Sequence, residues 1–214
     1  MKIKTDAVVL DIDGTIWNTT GVVSSAWNQA IKDLGLDAPL TTPELLKKEF
    51  GKPMNVIADD LWPNLTRAQK EELMARCCVC EQAALEKNQA DISYPGVRDT
   101  IAALSKNFKL YIVSNCQSGY IELTMKKNGI EKFIRDHECY GDTGLGKADN
   151  LRALIGRNKI RFPVYVGDTQ GDADASKAAG AKFIWASYGF GSVKDFDAKI
   201  ERFDGLLDLL QNLD

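Results

Sequence analysis

The chain has 214 residues, 44% of them hydrophobic and 27% charged, which suits one globular domain with or without an insertion and excludes wholesale disorder. The formal net charge of −3 supplies no basic footprint for nucleic acid or an anionic membrane surface. A single histidine, His137, makes a two-histidine metal site or a Ser-His-Asp triad hard to build.

No segment approaches the roughly 20 consecutive apolar residues of a membrane span. The start, Met1 to Asp6, lacks the apolar core and cleavage site of a signal peptide, so a cytoplasmic location is expected. Five cysteines, three of them crowded at Cys77, Cys78 and Cys80, form no disulfide framework and read as reduced thiols. No second cysteine pair stands at zinc-ligand spacing from that cluster, so helix packing accounts for it.

The first predicted element is a short apolar strand over 6–11, of the kind buried on both faces of a parallel sheet. A long stretch without strands follows. Residues 20–34 have helical spacing, Thr42 with Pro43 reads as an N-cap and first helical residue, and Thr66 to Gln69 has capping-box form. The helix that Thr66 opens is expected to run to about 88, through Leu73, Cys77, Cys80 and Ala84. Tyr94-Pro95-Gly96-Val97 marks a turn back. Strands over 109–113, 163–166 and 182–186 then alternate with helices near 97–106, 118–128, 147–157 and 171–179. His137 falls in a connecting segment. The expected class is α/β, a Rossmann-like parallel sheet core of residues 1–16 and 91–214 interrupted by an all-helical unit of residues 17–90.

Every strong polar cluster follows an apolar strand, at the carboxyl ends where open α/β sheets bind ligands. In Asp11-Ile12-Asp13-Gly14-Thr15, the spacing of two in extended backbone brings Asp11 and Asp13 into one small volume. Two close carboxylates need a cation or a shared proton, and such oxygen ligands suit Mg²⁺. In Gly167-Asp168-Thr169-Gln170-Gly171-Asp172, Asp168 repeats the geometry of Asp11, while Asp172 enters a helix, as a capping charge or a further oxygen ligand. Val113-Ser114-Asn115 offers a hydroxyl and backbone N–H groups to phosphate oxygens. In Gly144-Leu145-Gly146-Lys147, a lysine opens a helix after glycines, without the Walker A spacing.

Taken together and in this order, the clusters resemble the haloacid dehalogenase superfamily. Asp11-Ile12-Asp13-Gly14-Thr15 is similar to its first motif, Ser114 to its second, Lys147 to its third, and Gly167-Asp168-Thr169 with Asp172 to its fourth. Pro95-Gly96-Val97 and Ala178-Ala179-Gly180-Ala181 match flanking patterns, so the resemblance spans the chain. The helical stretch resembles the cap of phosphoglycolate phosphatases and β-phosphoglucomutases. The resemblance implies that Asp11 is the nucleophile, forming an aspartyl phosphate, and that Asp13 is the general acid and base. It implies Mg²⁺ held by Asp11, Asp168, the backbone carbonyl of Asp13, and Asp172 directly or through water. It implies Ser114, Asn115 and Lys147 on the phosphoryl oxygens. Two departures stand out. Asn18 replaces a common Asp, and Ala148 replaces a common Pro.

Substrate choice is expected in the helical unit. Lys52, in the turn Gly51 to Asn55, is a candidate contact for a carboxylate or a second phosphate; as a Schiff-base lysine it would need a depressed pKa in a dry pocket. Trp17 and Trp62 read as packing, and Tyr188 to Gly191 as part of the rim. The expected activity is Mg²⁺-dependent hydrolysis of a small phosphorylated metabolite, by a monomer or homodimer. A sugar phosphomutase is the alternative, and a non-catalytic phospholigand-binding protein stands behind it.

Overall fold

A computed structural model describes residues 3–211. Its centre is a six-stranded parallel sheet of β1 (Ala7–Leu10), β2 (Lys109–Ser114), β3 (Ile134–Cys139), β4 (Pro163–Gly167), β5 (Lys182–Ala186) and β6 (Ala198–Ile200). The order is β3-β2-β1-β4-β5-β6. The chain builds outward from β1 in one direction and from β4 in the other. The seam between β1 and β4 is therefore the topological switch point, where open α/β sheets form a ligand crevice.

The four strands β1, β2, β4 and β5 are largely apolar because both faces are covered. Val8, Leu10, Leu110, Ile112, Val164, Val166 and Ile184 belong to one buried cluster. Their alternating neighbours Ala7, Val9, Tyr111, Val113, Tyr165 and Phe183 belong to another. The period of two along each strand thus sorts side chains between two cores. The second core is closed by α8 (Lys147–Arg157) and α9 (Gln170–Ala179), through residues such as Leu151, Leu154 and Ala173.

The stretch after β1 is helical, in α1 (Thr20–Asp33), α2 (Pro43–Glu49), α3 (Met54–Leu61) and α4 (Arg67–Lys87). Its starts follow local chemistry. Asn18 Oδ1 accepts from the Thr20 backbone N–H and hydroxyl at the head of α1. Thr42 accepts from Leu45 N with Pro43 at the first helical position, and Thr66 and Gln69 form a reciprocal capping box. The buried stripe of α4 is Leu73, Cys77, Glu81 and Leu85 rather than the expected line through Cys80 and Ala84, so a carboxylate lies on its apolar face. Trp27, Leu46, Trp62 and Leu73 share one cluster with the sheet residues Val8 and Leu10. Trp17 and Trp62 are buried, Trp62 stacking obliquely on Trp27 at 6.0 Å and donating Nε1–H to Pro39 O. The two connections to the helical unit pair with each other, Asn18 N donating to Ile92 O at 2.8 Å and Tyr94 N to Ile16 O at 3.0 Å.

Two strands escape the pattern reading. β3 carries Arg135, Asp136, His137 and Glu138, so His137 lies on an edge strand and not in a connection. Its charges are answered from α8, where Arg157 bonds both Asp136 and Glu138. β6 has three residues at the other edge. The remaining helices, α5 (Val97–Leu104), α6 (Tyr120–Asn128), α7 (Tyr140–Thr143) and α10 (Gly205–Gln211), complete the layers. Among the described residues no helix is long and apolar enough to cross a membrane.

Gly14 turns the chain out of β1 with φ +81°, and a Cβ there would lie 2.1 Å from Asp168 Oδ2. Gly14→Ala is expected to lower stability by about 1–3 kcal/mol, through left-handed strain and displacement of Asp168. The urea midpoint reads this directly, and an unshifted midpoint would show that the turn tolerates a side chain.

Candidate active site

The backbone N–H of Asp11 donates to Val166 O at 2.9 Å, which ties the end of β1 to the end of β4. Leu10 is level with both Ile112 and Val166. Asp11 therefore emerges beside the ends of β2 and β4, with Ser114 closing β2 and Asp168 following β4. One carboxylate oxygen from each of Asp11, Asp168 and Asp172 lies within 4.8 Å of the others, and all three residues are buried.

Lys147 is the counter-charge. Its Nζ donates to Asp11 Oδ1 at 2.8 Å and to Asp172 Oδ1 at 2.5 Å, from a side chain only 4% exposed. Burial opposes its charge, but the Asp11 and Asp172 carboxylates outweigh burial and hold the ammonium well above its ordinary range. Lys147 reaches them because Gly146 N-caps α8 and leaves Lys147 as the first helical residue. Burial pushes Asp11 up to about 6 against the pull of Lys147. Asp168 is raised well above the usual carboxylate range by burial, reinforced by Asp172 and Asp11.

Each acid has a distinct set of partners. Asp172 Oδ2 accepts from the N–H of Asp168 and Thr169 and from the Thr169 hydroxyl, closing a capping box on α9. One oxygen of Asp172 thus caps the helix and the other faces Lys147 and the acid cluster. Asp168 Oδ2 accepts from Phe190 N at 2.6 Å, while its Oδ1 is buried without a hydrogen-bond partner. The Phe190 amide comes from the segment after β5, whose glycines are required by space. A Cβ on Gly189 would lie 2.3 Å from Asp168 Cβ.

Asp13 departs from the expected convergence. Its carboxylate joins the cavity beside Asp11, but turns to Thr19 and Tyr120, which donate to Oδ1 at 2.7 and 2.8 Å. It is not in the three-acid group, so the structure does not bring the Asp13 side chain to the oxygens that Asp11, Asp168 and Asp172 share. β1 ends at Leu10, so Asp13 lies beyond the regular strand, and its carboxylate takes its direction from Thr19, just before α1, and Tyr120, at the start of α6. Enclosure pushes Asp13 up to about 7, against the hydrogen bonds from Thr19 and Tyr120. Thr19 and Tyr120 carry no motif and were not legible as site residues.

Ser114 and Asn115 line the same cavity. Asn115 Nδ2 donates to Gly51 O at 2.7 Å, a direct bridge from the strand end to the helical unit, and its Oδ1 is buried without a partner. Phe50 meets Phe190 at 6.3 Å between centroids. The helical unit is thus closed over the acids, leaving a cavity of about 30 Å³. Lys52 lines this cavity, but its Nζ is held by Asp60 and Glu49 at 2.8 Å each, and these partners raise its pKa. The depressed pKa of a Schiff-base lysine is absent.

Glu81 is a further residue that sequence reasoning missed. It is 4% exposed and lines the cavity from α4. Trp27 Nε1 donates to Oε2 at 2.7 Å and Gln117 Nε2 to Oε1 at 2.9 Å. An acid on the four-residue stripe Leu73, Cys77, Glu81, Leu85 is the signal that could have found it. Burial pushes Glu81 from 4.5 up to about 7, with the Gln117 and Trp27 hydrogen bonds pulling the other way. The titratable groups coupled to it are Asp13, Tyr120, Cys77 and Cys78.

A raised folded-state pKa contributes stability below the unfolded value and loses it as pH rises through the folded value. Wild type is therefore expected to lose about 1–3 kcal/mol relative to Glu81→Gln between pH 5 and pH 8. Urea unfolding of both proteins at the two pH values checks this. A difference that stays constant would mean that Glu81 does not titrate in the window.

Comparison with known proteins places this geometry. The family model for haloacid dehalogenase-like hydrolases matches residues 8–186. The phosphoglycolate phosphatase of Nitrosospira multiformis is 27% identical over 199 residues, covering 88% of this chain and 86% of that protein. That of Vibrio parahaemolyticus is 26% identical over 223 residues, covering 95% and 94%. Among solved structures, a predicted phosphoglycolate phosphatase from Haemophilus somnus superposes with TM-score 0.82 at 20% identity, covering 96% of this chain and 97% of that one. CbbY from Rhodobacter sphaeroides, solved in complex with phosphate, gives TM-score 0.82 at 18% identity, covering 97% and 100%. The chain belongs to the haloacid dehalogenase-like hydrolase family and is an enzyme of its phosphatase branch.

Proposed function

We propose that this phosphatase is Mg²⁺-dependent and hydrolyses a small phosphorylated metabolite through an aspartyl phosphate on Asp11. The observation that carries the reading is the orphaned, buried Asp168 Oδ1, on a carboxylate that clusters with those of Asp11 and Asp172. A buried cluster of three carboxylates that includes the unpartnered Asp168 Oδ1 suits a hard cation that prefers oxygen ligands. Asp11, Asp168 and Asp172 would hold Mg²⁺, which when bound offsets the charge of the phosphoryl oxygens.

The chain's own groups divide the rest of the chemistry. An Asp11 carboxylate oxygen attacks phosphorus, and the ester oxygen leaves with a proton from Asp13. Asp13 suits both halves of the cycle because enclosure brings its pKa to about 7, so it is poised to give a proton and then to take one from water. Attack of that water returns Asp11 and releases phosphate. Lys147 keeps Asp11 charged within the buried cluster and presents its ammonium to the transferring group. Ser114 and Asn115 supply hydrogen bonds from the end of β2.

Residues 17–90 act as a cap over a core of 1–16 and 91–214. A cavity of about 30 Å³ holds one or two waters and no phosphomonoester, so the cap opens to admit substrate. The paired connections at Ile16–Asn18 and Ile92–Tyr94 are the place where it hinges.

Phosphate release from p-nitrophenyl phosphate with Mg²⁺ is expected to disappear with EDTA and to fall roughly a thousandfold or more in Asp11→Asn. Release that survives both would remove Asp11 and the metal from the mechanism. Mg²⁺ should also raise the melting temperature of wild type but not of Asp168→Asn, because only a metal-competent native state is stabilised by binding. An equal rise in both proteins would place the cation elsewhere.

A further inference from the structure

The two phosphoglycolate phosphatases named above are, by name, enzymes of a phosphorylated hydroxy acid, yet the wall that faces the acids here is itself acidic. Lys52 is the cationic side chain of that wall, and it stands between Glu49 and Asp60. The three groups together carry one net negative charge. Glu81 adds a buried carboxylate, with no ion pair to it among the described residues. Its two donors, Trp27 Nε1 and Gln117 Nε2, take one site on each oxygen, and an ionised carboxylate offers about two per oxygen.

Above about pH 7, where Glu81 is ionised, a leaving group that brought a second carboxylate into this space would meet a like charge with no ion-pair partner in an enclosed cavity, an arrangement that disfavours binding strongly. A leaving group that brought a hydrogen-bond donor would complete the coordination of Glu81, and an ammonium would also neutralise it. The aromatic rings of Trp27 and Phe50, 6.2 Å apart between centroids, line the same wall and favour a cation over an anion.

We propose that Glu81 determines substrate choice and that the enzyme takes small phosphomonoesters whose leaving group ends in a hydrogen-bond donor, an amino alcohol best of all, and rejects phosphorylated hydroxy acids. This rests on the phosphatase reading above. Glu81 touches the leaving group and takes no part in phosphoryl transfer.

Three two-carbon esters that differ only at the end remote from phosphate test it: 2-aminoethyl phosphate, 2-hydroxyethyl phosphate and 2-phosphoglycolate. With wild type and Mg²⁺, kcat/KM is expected to fall in that order, with the amino ester at least about tenfold above phosphoglycolate. In Glu81→Gln the ratio of amino ester to phosphoglycolate should shrink about tenfold or more, whatever happens to absolute rates. The change should lie mainly in KM, because the interaction is made in the bound substrate. Phosphoglycolate as the best of the three with wild type overturns the proposal, and that ranking needs no variant to fold. A ratio unchanged in a folded Glu81→Gln overturns it as well. Hydrolysis of p-nitrophenyl phosphate separates the two levels. If it is cleaved while phosphoglycolate leads, only the specificity fails; if no ester is cleaved, the phosphatase mechanism and this inference fall together.

Discussion

The structure depends on how four charged groups are kept together out of water. Asp11, Asp168, Asp172 and Lys147 are all buried, and desolvating that much charge is costly unless each group is answered. Lys147 answers two of the acids directly. Backbone N–H groups answer much of the remainder, from Thr169 and Asp168 onto Asp172 and from Phe190 onto Asp168. What is left unanswered is the oxygen Asp168 Oδ1. The excess negative charge and the orphaned oxygen have the same remedy, a cation bound at that point. The same excess raises Asp11 and Asp168 above the ordinary carboxylate range, with burial as the first cause.

The sheet topology is what makes such a cluster possible. The switch point between β1 and β4 leaves a crevice, and the strands on either side end level with each other. Asp11 and Asp168 occupy it, and α8 and α9 bring Lys147 and Asp172 to it by their first turns. The glycines there serve proximity as much as turning. A side chain at Gly14 or Gly189 would occupy the space that Asp168 needs.

The helical unit completes the site from the other side. It shares its apolar cluster with one face of the sheet, so it is packed on the core rather than tethered to it. Polar contacts between the two include Asn115 to Gly51, Gln117 to Glu81, and Lys127 to the carbonyls of Glu86 and Asn88. The first two run from the loop after β2 to elements that line the cavity. Whatever enters beside Asp13 meets a wall on which the positive charge of Lys52 is already paired and the carboxylate of Glu81 is not.

Much of this was legible in the residues themselves. The four buried strands, the capping of α2 and α4, and the acids and lysine at strand and helix ends all follow from local pattern. These features depend on backbone periodicity, hydrogen-bond capping and covalent spacing, which the chain carries with it. The edge strands β3 and β6 were not legible. The polar residues of β3 are stabilised by Arg157, twenty residues away along the chain, and β6 is only three residues long. Nor was the parting of Asp13 from Asp11, which depends on Tyr120 and Thr19 arriving from elsewhere. The pairing of Lys52 and the turning of Glu81 into the cavity are of the same kind. Sequence alone determined which groups stand at the ends of which elements, because that is a matter of local spacing. Only the tertiary structure decided which charges face one another in the dry interior, because charge pairing acts through space between segments that spacing along the chain does not relate.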